Sequence, residues 1–212
     1  MTLKVPALEL DRVIQNVLHY TDNQAIRLQE VFFVISNKGL QAFSCDDYVT
    51  ITDSLSVDSD LSFEFSLSIE DVDKLGAWIK KDKKVVHKYP IEIRQKFTGV
   101  LFECDETSTD DESDNFFLSF KSPNYEAWDL VMLLLDEEAE QTDYTGFALR
   151  SERLVKLARL KADKDAPIDM RFVLINGHLI VQFKKGETLK GAIMPVTRSL
   201  VKEEFLWPII DQ

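Results

Sequence analysis

The side chains able to do covalent or metal chemistry are few in this chain, and they are far apart. Histidines stand only at His19, His87 and His178, and cysteines only at Cys45 and Cys104. No H-x-x-x-H or C-x-x-C pair exists, so the spacing that holds a zinc ion is missing. Two cysteines this distant do not make a disulfide framework; they read as reduced thiols in half-buried strands. The seven glycines are scattered at turns and form no phosphate loop, and there is no G-x-S-x-G elbow. The acidic run ECDETSTDDESD, 103–114, lacks the ordered spacing and glycine of a calcium loop and reads as a solvated, mobile loop. The sequence therefore predicts no enzyme, no metal and no cofactor.

What remains is the chemistry of contact, and three kinds of stretch offer it. In LRSERLVKLARLKADK, 149–164, the cations Arg150, Arg153, Lys156, Arg159 and Lys164 fall opposite a leucine stripe. In IKKDKK, Lys80, Lys81, Lys83 and Lys84 crowd a helix end. Such point charges can touch phosphates loosely without reading bases; they also suit an ordinary solvated face. The second stretch type is a strand end, KGAIMPVTRSL, 190–200. Pro195 cannot donate to a ladder, so it ends the strand or lies on an edge, and Met194 before it is apolar and adaptable. The third is the tail EEFLWPIIDQ, in which Phe205, Leu206 and Trp207 resemble the anchors of a groove-binding peptide. The tail could equally pack on the last sheet.

The elements that must position these residues repeat. LELDRVIQNVLHYTD puts Leu10, Val13, Ile14, Val17 and Leu18 at helical spacing, and AIRLQEVFFVISN, GLQAFSCDD and YVTITDSLSV follow as strands. Asn37-Lys38-Gly39 marks a hairpin. The pattern restarts with a strand and a helix in LSFEFSLSIEDVDKLGAWIKKD, whose apolar face is Val72, Leu75, Trp78 and Ile79, and three more strands follow up to residue 121. It returns a third time from 147: strand, helix with Leu154, Leu157, Ala158 and Leu160 inward, then three strands with a tight turn at Asn176-Gly177. The predicted organisation is a two-unit domain over 1–121, a linker or reduced half-unit over 122–146, and a half-domain with a tail over 147–212. Segment 122–146 is too short for a helix and three strands; its apolar centre, Trp128 to Leu135, is read as a helix or a tucked extended segment.

Composition bounds the rest. With 212 residues, 45% hydrophobic and 29% charged, the chain can build packed cores. No apolar run reaches the roughly 20 residues that cross a membrane, and the N-terminus lacks a signal-peptide layout, so a cytoplasmic protein is expected. The net charge of −12 argues against indiscriminate nucleic-acid binding but leaves room for one basic face.

At these residues the chain resembles the bacterial DNA polymerase III sliding clamp, the β-clamp or DnaN-like family, in a short form of bacteriophage type. The strand–helix–three-strand unit is how a clamp domain is built. GLQAFSCDDYVTITDSL, 39–55, is similar to the family stretch that crosses a T-D-G-H-R-L turn, although only the Asp is kept and the glycine is gone. SPNYEAWDLVM resembles the F-P-D-Y segment that leaves the family's middle domain, and GAIMPVTR resembles the family's closing V-V-M-P-M-R-L. The resemblance implies an α+β clamp fold, with helices on one face of curved antiparallel sheets. It implies a pocket for partner peptides from Cys45, Asp47, Tyr48, Val49 and Thr50 of the turn and Pro123 and Trp128 of the segment. Ala192, Met194, Pro195 and Val196 of the strand end would complete it.

It further implies a homo-oligomeric ring, trimer or dimer, around duplex DNA, a polymerase and a clamp loader as partners, and the basic helices turned inward. The family chain has three whole domains, whereas this one has about one and a half. The alternative reading is a clamp-derived interaction protein that binds replication proteins through pocket or tail without forming a ring.

Overall fold

The computed structural model describes residues 2–19, 29–46, 48–81, 85–104, 114–142, 148–162 and 165–195. The first unit is strand β1 (Leu3–Val5), helix α1 (Ala7–Leu18) and strands β2 (Glu30–Ser36), β3 (Gly39–Cys45) and β4 (Val49–Leu55). The second is β5 (Phe63–Ser68), α2 (Ile69–Ile79), β6 (Ile91–Gln95), β7 (Gly99–Cys104) and β8 (Asp114–Ser119). Helix α1 forms where Leu10, Val13, Ile14 and Val17 recur on one face, and all four are buried. Helix α2 starts at Ser68, whose hydroxyl accepts from the Asp71 amide, with Glu70 and Asp71 at the positive end of the helix dipole.

The two units exchange their first strands. β1 pairs with β6 of the second unit, and β5 pairs with β2 of the first. The exchange interlocks both units around one core, in which α1 packs on α2 and Leu3, Val13, Phe33, Phe65, Val72 and Phe102 meet. Gly39 has φ +117° where β3 begins, and a Cβ there would lie 2.1 Å from the Leu55 carbonyl oxygen. No other residue fits that hairpin.

The third unit holds helix α4 (Ser151–Ala158) and strands β9 (Ile168–Ile175), β10 (His178–Lys185) and β11 (Leu189–Ile193). Asn176 and Gly177 both take positive φ, 52° and 78°, as a two-residue hairpin turn requires. β11 pairs antiparallel with β4, Val49–Asp53 against Leu189–Ile193, so one seven-stranded sheet runs β5-β2-β3-β4-β11-β10-β9. The other sheet is β1-β6-β7-β8. A buried polar cluster fastens the units together. Arg12 of α1 binds the fully buried Asp53 of β4 and donates to the Thr188 hydroxyl, while Asn16 exchanges two 2.7 Å hydrogen bonds with the backbone of Lys161.

Segment 122–146 takes the helical option: α3 (Tyr125–Leu134) lies on the face of the long sheet opposite α1 and α4. Strand alternation makes this plain. Ile51 and Asp53 of β4 face α4 and α1, whereas Phe43 of β3 and Phe32 of β2 face α3. Beyond α3, Gln141 bridges to Val173 on the outer edge of β9. In α4 the expected inward stripe is half right. Leu157 and Leu160 are buried, but Leu154 is 45% exposed and Ala158 is exposed, and Arg153 takes the buried position one turn before Leu157. No helix among the described residues is long and apolar enough to cross a membrane.

Candidate functional site

Three elements distant in sequence converge where β4 meets β11. β3 ends at Cys45, and Asp46 forms the turn into β4: its carboxylate accepts from the amides of Tyr48 and Val49 at 2.8 and 2.7 Å. The Asx turn makes the bend locally, without a glycine. β11 ends at Ile193, and the Met194 amide donates to the Tyr48 carbonyl at 2.9 Å, which ties the strand end to the turn. Opposite stands α3. Asn124 caps it by accepting from the Ala127 amide, and Trp128 anchors it, stacked on Phe32 at 5.3 Å with its indole N–H donating to Glu30 at 2.9 Å.

Between these walls lies a cleft of about 840 Å³. Cys45, Tyr48 and Thr50 line it from the turn and β4, Ile180, Ala192 and Met194 from the strand side, and Ala127, Leu130, Val131 and Leu134 from α3. Its mouth carries large apolar side chains in water: Tyr48, Leu130 and Met194 are 49%, 57% and 40% exposed. Asp46 and Glu126 are the acids at its rim. An apolar trough with a few polar groups has the make-up of a ligand-binding site. Among the described residues no group of His, Cys, Asp and Glu could hold a metal.

The geometry corrects several sequence expectations. Cys45, Tyr48, Thr50, Ala192 and Met194 do line the cleft. Val49 does not: alternation along β4 turns it to the other face, into the cluster with Leu157 and Phe183. Trp128 is 2% exposed and works behind the wall, holding α3 to the sheet. Pro123 and Pro195 flank the cleft in sequence but are not among its lining. Asp47 and Val196 lie outside the described residues, as do Lys83, Lys84, Lys164 and the tail anchors Phe205, Leu206 and Trp207. The α3 wall was missed. Its signal was present as Ala127, Leu130, Val131 and Leu134 at helical spacing, but α3 is apolar nearly all round, so periodicity could not say which side faced a groove.

The cations expected to face DNA are also rearranged. Arg153 is 5% exposed: its guanidinium donates to the Met194 carbonyl at 2.6 Å and lies over the Tyr48 ring, 4.1 Å from its centre. It clasps the cleft rim from behind and points no charge at solvent. Lys156 is ion-paired with Asp46 at 3.3 Å, and Lys80 with Asp11 at 3.1 Å. Arg150 pairs with Glu152. Lys81 and Arg159 are exposed. Arg159, Lys156 and Lys161 gather around His19 at the end of α1. Burial first, and then these cations, hold the His19 imidazole below its ordinary pKa.

No family profile matches the sequence, and no curated protein matches it significantly. Solved structures do match in shape. The DNA polymerase III subunit beta from Pseudomonas aeruginosa superposes over 95% of this chain and 68% of its own, with a TM-score of 0.63 at 14% identity. A DnaN sliding clamp from the same organism, bound to griselimycin, superposes over 99% and 68%, with a TM-score of 0.64 at 15% identity. The Helicobacter pylori beta clamp bound to a DNA ligase peptide gives 0.62 over 98% and 69%, at 9% identity. The chain thus has the sliding-clamp fold, α+β, and spans about two thirds of the length of these proteins.

Proposed function

We propose that this chain is a sliding-clamp-type processivity factor for a DNA polymerase. It rides duplex DNA as a homo-oligomer in the cytoplasm, with the face that bears α1, α2 and α4 turned to the duplex. It holds the polymerase by a short apolar peptide segment seated in the cleft, and a clamp loader places it on DNA. It performs no covalent step. Tethering alone raises the local concentration of polymerase at the template. The observation that carries this reading is the cleft, where turn, strand end and α3 build an apolar trough with Tyr48, Leu130 and Met194 exposed at its mouth. The ligase peptide on the Helicobacter pylori clamp supports a peptide as the occupant.

A specific observation favours a second reading, a clamp-derived interaction protein that uses the cleft without encircling DNA. The helix face is not uniformly basic. Glu9, Glu70 and Asp73 are exposed on α1 and α2, and Lys80, Arg150, Arg153 and Lys156 each bind an acid or a carbonyl. The two readings separate on DNA topology. The chain is loaded on nicked circular plasmid by a clamp loader with ATP, half of the sample is linearised, and both halves pass through gel filtration. An encircling clamp stays with the circle and is lost from the linear form. Equal retention on both, or none on either, contradicts encirclement and leaves the second reading.

A further inference from the structure

The described residues end at the rim of the cleft. Met194, one of the cleft's lining residues, is fixed there from two sides: its amide donates to the Tyr48 carbonyl, and its carbonyl accepts from Arg153. Pro195 stops the strand beyond it, so the chain that follows, 196–212, departs from a point pinned at the cleft mouth. Nine residues, 196–204, separate Pro195 from the apolar run Phe205-Leu206-Trp207-Pro208-Ile209-Ile210. Extended, nine residues reach about 30 Å. Helix α3, the far wall, has ten residues and is about 15 Å long. The run is therefore long enough to turn back and lie anywhere along the cleft.

From this we infer that Phe205, Leu206 and Trp207 occupy the cleft of their own chain, and that a partner peptide binds by displacing them. The inference rests on the reading of the cleft as a peptide site and not on encirclement of DNA. The cleft calls for an apolar occupant, because Tyr48, Leu130 and Met194 stand about half exposed at the mouth of an 840 Å³ trough. Two aromatic rings and a leucine seated there leave water together with those side chains. Charge does not oppose the contact. Arg198 and Lys202 balance Glu203 and Glu204, so the linker meets the rim acids Asp46 and Glu126 without net repulsion. The exposed Leu154 and Val155 of α4 are another apolar landing place, but they lie on the opposite face of the sheet and are two adjacent side chains rather than a trough. A short linker sets an effective concentration on the order of millimolar. A run that binds as a separate peptide at about 0.1 mM then fills its own cleft about nine-tenths of the time, and a competitor's apparent affinity falls about tenfold.

The test uses the full chain, with a fluorescent synthetic peptide of residues 201–212 as the probe. Probe affinity is measured by anisotropy for three proteins, each checked for folding by circular dichroism. They are the unaltered chain, a tail variant combining Phe205→Ser, Leu206→Ser and Trp207→Ser, and the tail variant with Leu130→Asp added. Amide hydrogen exchange over α3 is followed at several protein concentrations. The tail variant is expected to bind the probe about tenfold more tightly than the unaltered chain, and Leu130→Asp to reverse that gain. Exchange over α3 is expected to quicken in the tail variant, to slow again with probe, and to ignore concentration in the unaltered chain. Equal probe affinity for the unaltered chain and the tail variant overturns the inference while leaving the cleft a peptide site. Probe binding that Leu130→Asp does not weaken seats the run elsewhere and counts against the cleft itself. Protection of α3 that grows with concentration assigns the run to the cleft of a second copy and overturns occupancy within one chain. A tail variant that does not bind the probe overturns the inference as well.

Discussion

Replacing Arg153 by methionine separates two roles that the sequence alone could not tell apart. Methionine keeps the apolar stem and its packing beside Leu157 but removes the guanidinium. The charge-assisted bond to the Met194 carbonyl then disappears, worth about 1.5–3 kcal/mol. The contact over the Tyr48 ring goes with it, about 0.5–2 kcal/mol in a desolvated setting. Both losses fall on the same rim, so a total of about 2–5 kcal/mol is expected. For a chain of this size each kcal/mol moves the melting temperature by roughly 2–4 °C, which gives a fall of about 4–20 °C. Because Arg153 is buried, the fall persists at high salt, where exposed charges are screened. The assay is a thermal melt by circular dichroism at low and high salt. A shift within about 1 °C, the behaviour of an ordinary surface substitution, refutes the clasp and returns Arg153 to the solvent face.

Trp128→Ala removes the anchor of α3 and is expected to cost about 3–5 kcal/mol in chemical unfolding; a cost below about 1 kcal/mol means α3 is held by something else. Asp53→Asn strips the buried partner from Arg12 and weakens the joint between the first and third units, with an expected loss of about 3–5 kcal/mol, also read by chemical unfolding. His19 is held below its ordinary pKa of 6.5 in the fold, so the unfolded chain takes up the proton first. Stability is therefore full above about pH 6.5 and falls as the pH drops below it. His19→Gln should flatten melting temperature against pH between about 5 and 7, and an unaltered slope contradicts the burial of that imidazole among Lys161, Arg159 and Lys156.

Much of the scaffold was legible because its signals are local. The stripe of Leu10, Val13, Ile14 and Val17 fixes α1 without reference to anything else, and Asn176-Gly177 dictates its turn by backbone conformation alone. The threefold return of helix and strands exposed the repeat. The site was legible only in part, because its facts are tertiary. Alternation along β4 says that Val49 and Thr50 face opposite sides, but which side holds the cleft depends on where α3 comes to lie. Arg153 shares helical spacing with Lys156 and Arg159, and a cation at that spacing reads as solvated until Met194 and Tyr48 are seen beside it. The β4–β11 joint, which brings Thr50 next to Ala192, links residues far apart in sequence and leaves no local mark.

The central claim is that the cleft tethers a polymerase. The most direct measurement is the length of primer extension on a primed single-stranded circle by a replicative DNA polymerase with a clamp loader and ATP, under conditions that allow one polymerase encounter per template. The account predicts longer products when the chain is present and a return to the chain-free length with Leu130→Asp, which puts a charge in the mouth of the cleft while leaving the buried Trp128 in place. Product lengths that ignore the chain, or that lengthen equally with Leu130→Asp, would contradict it.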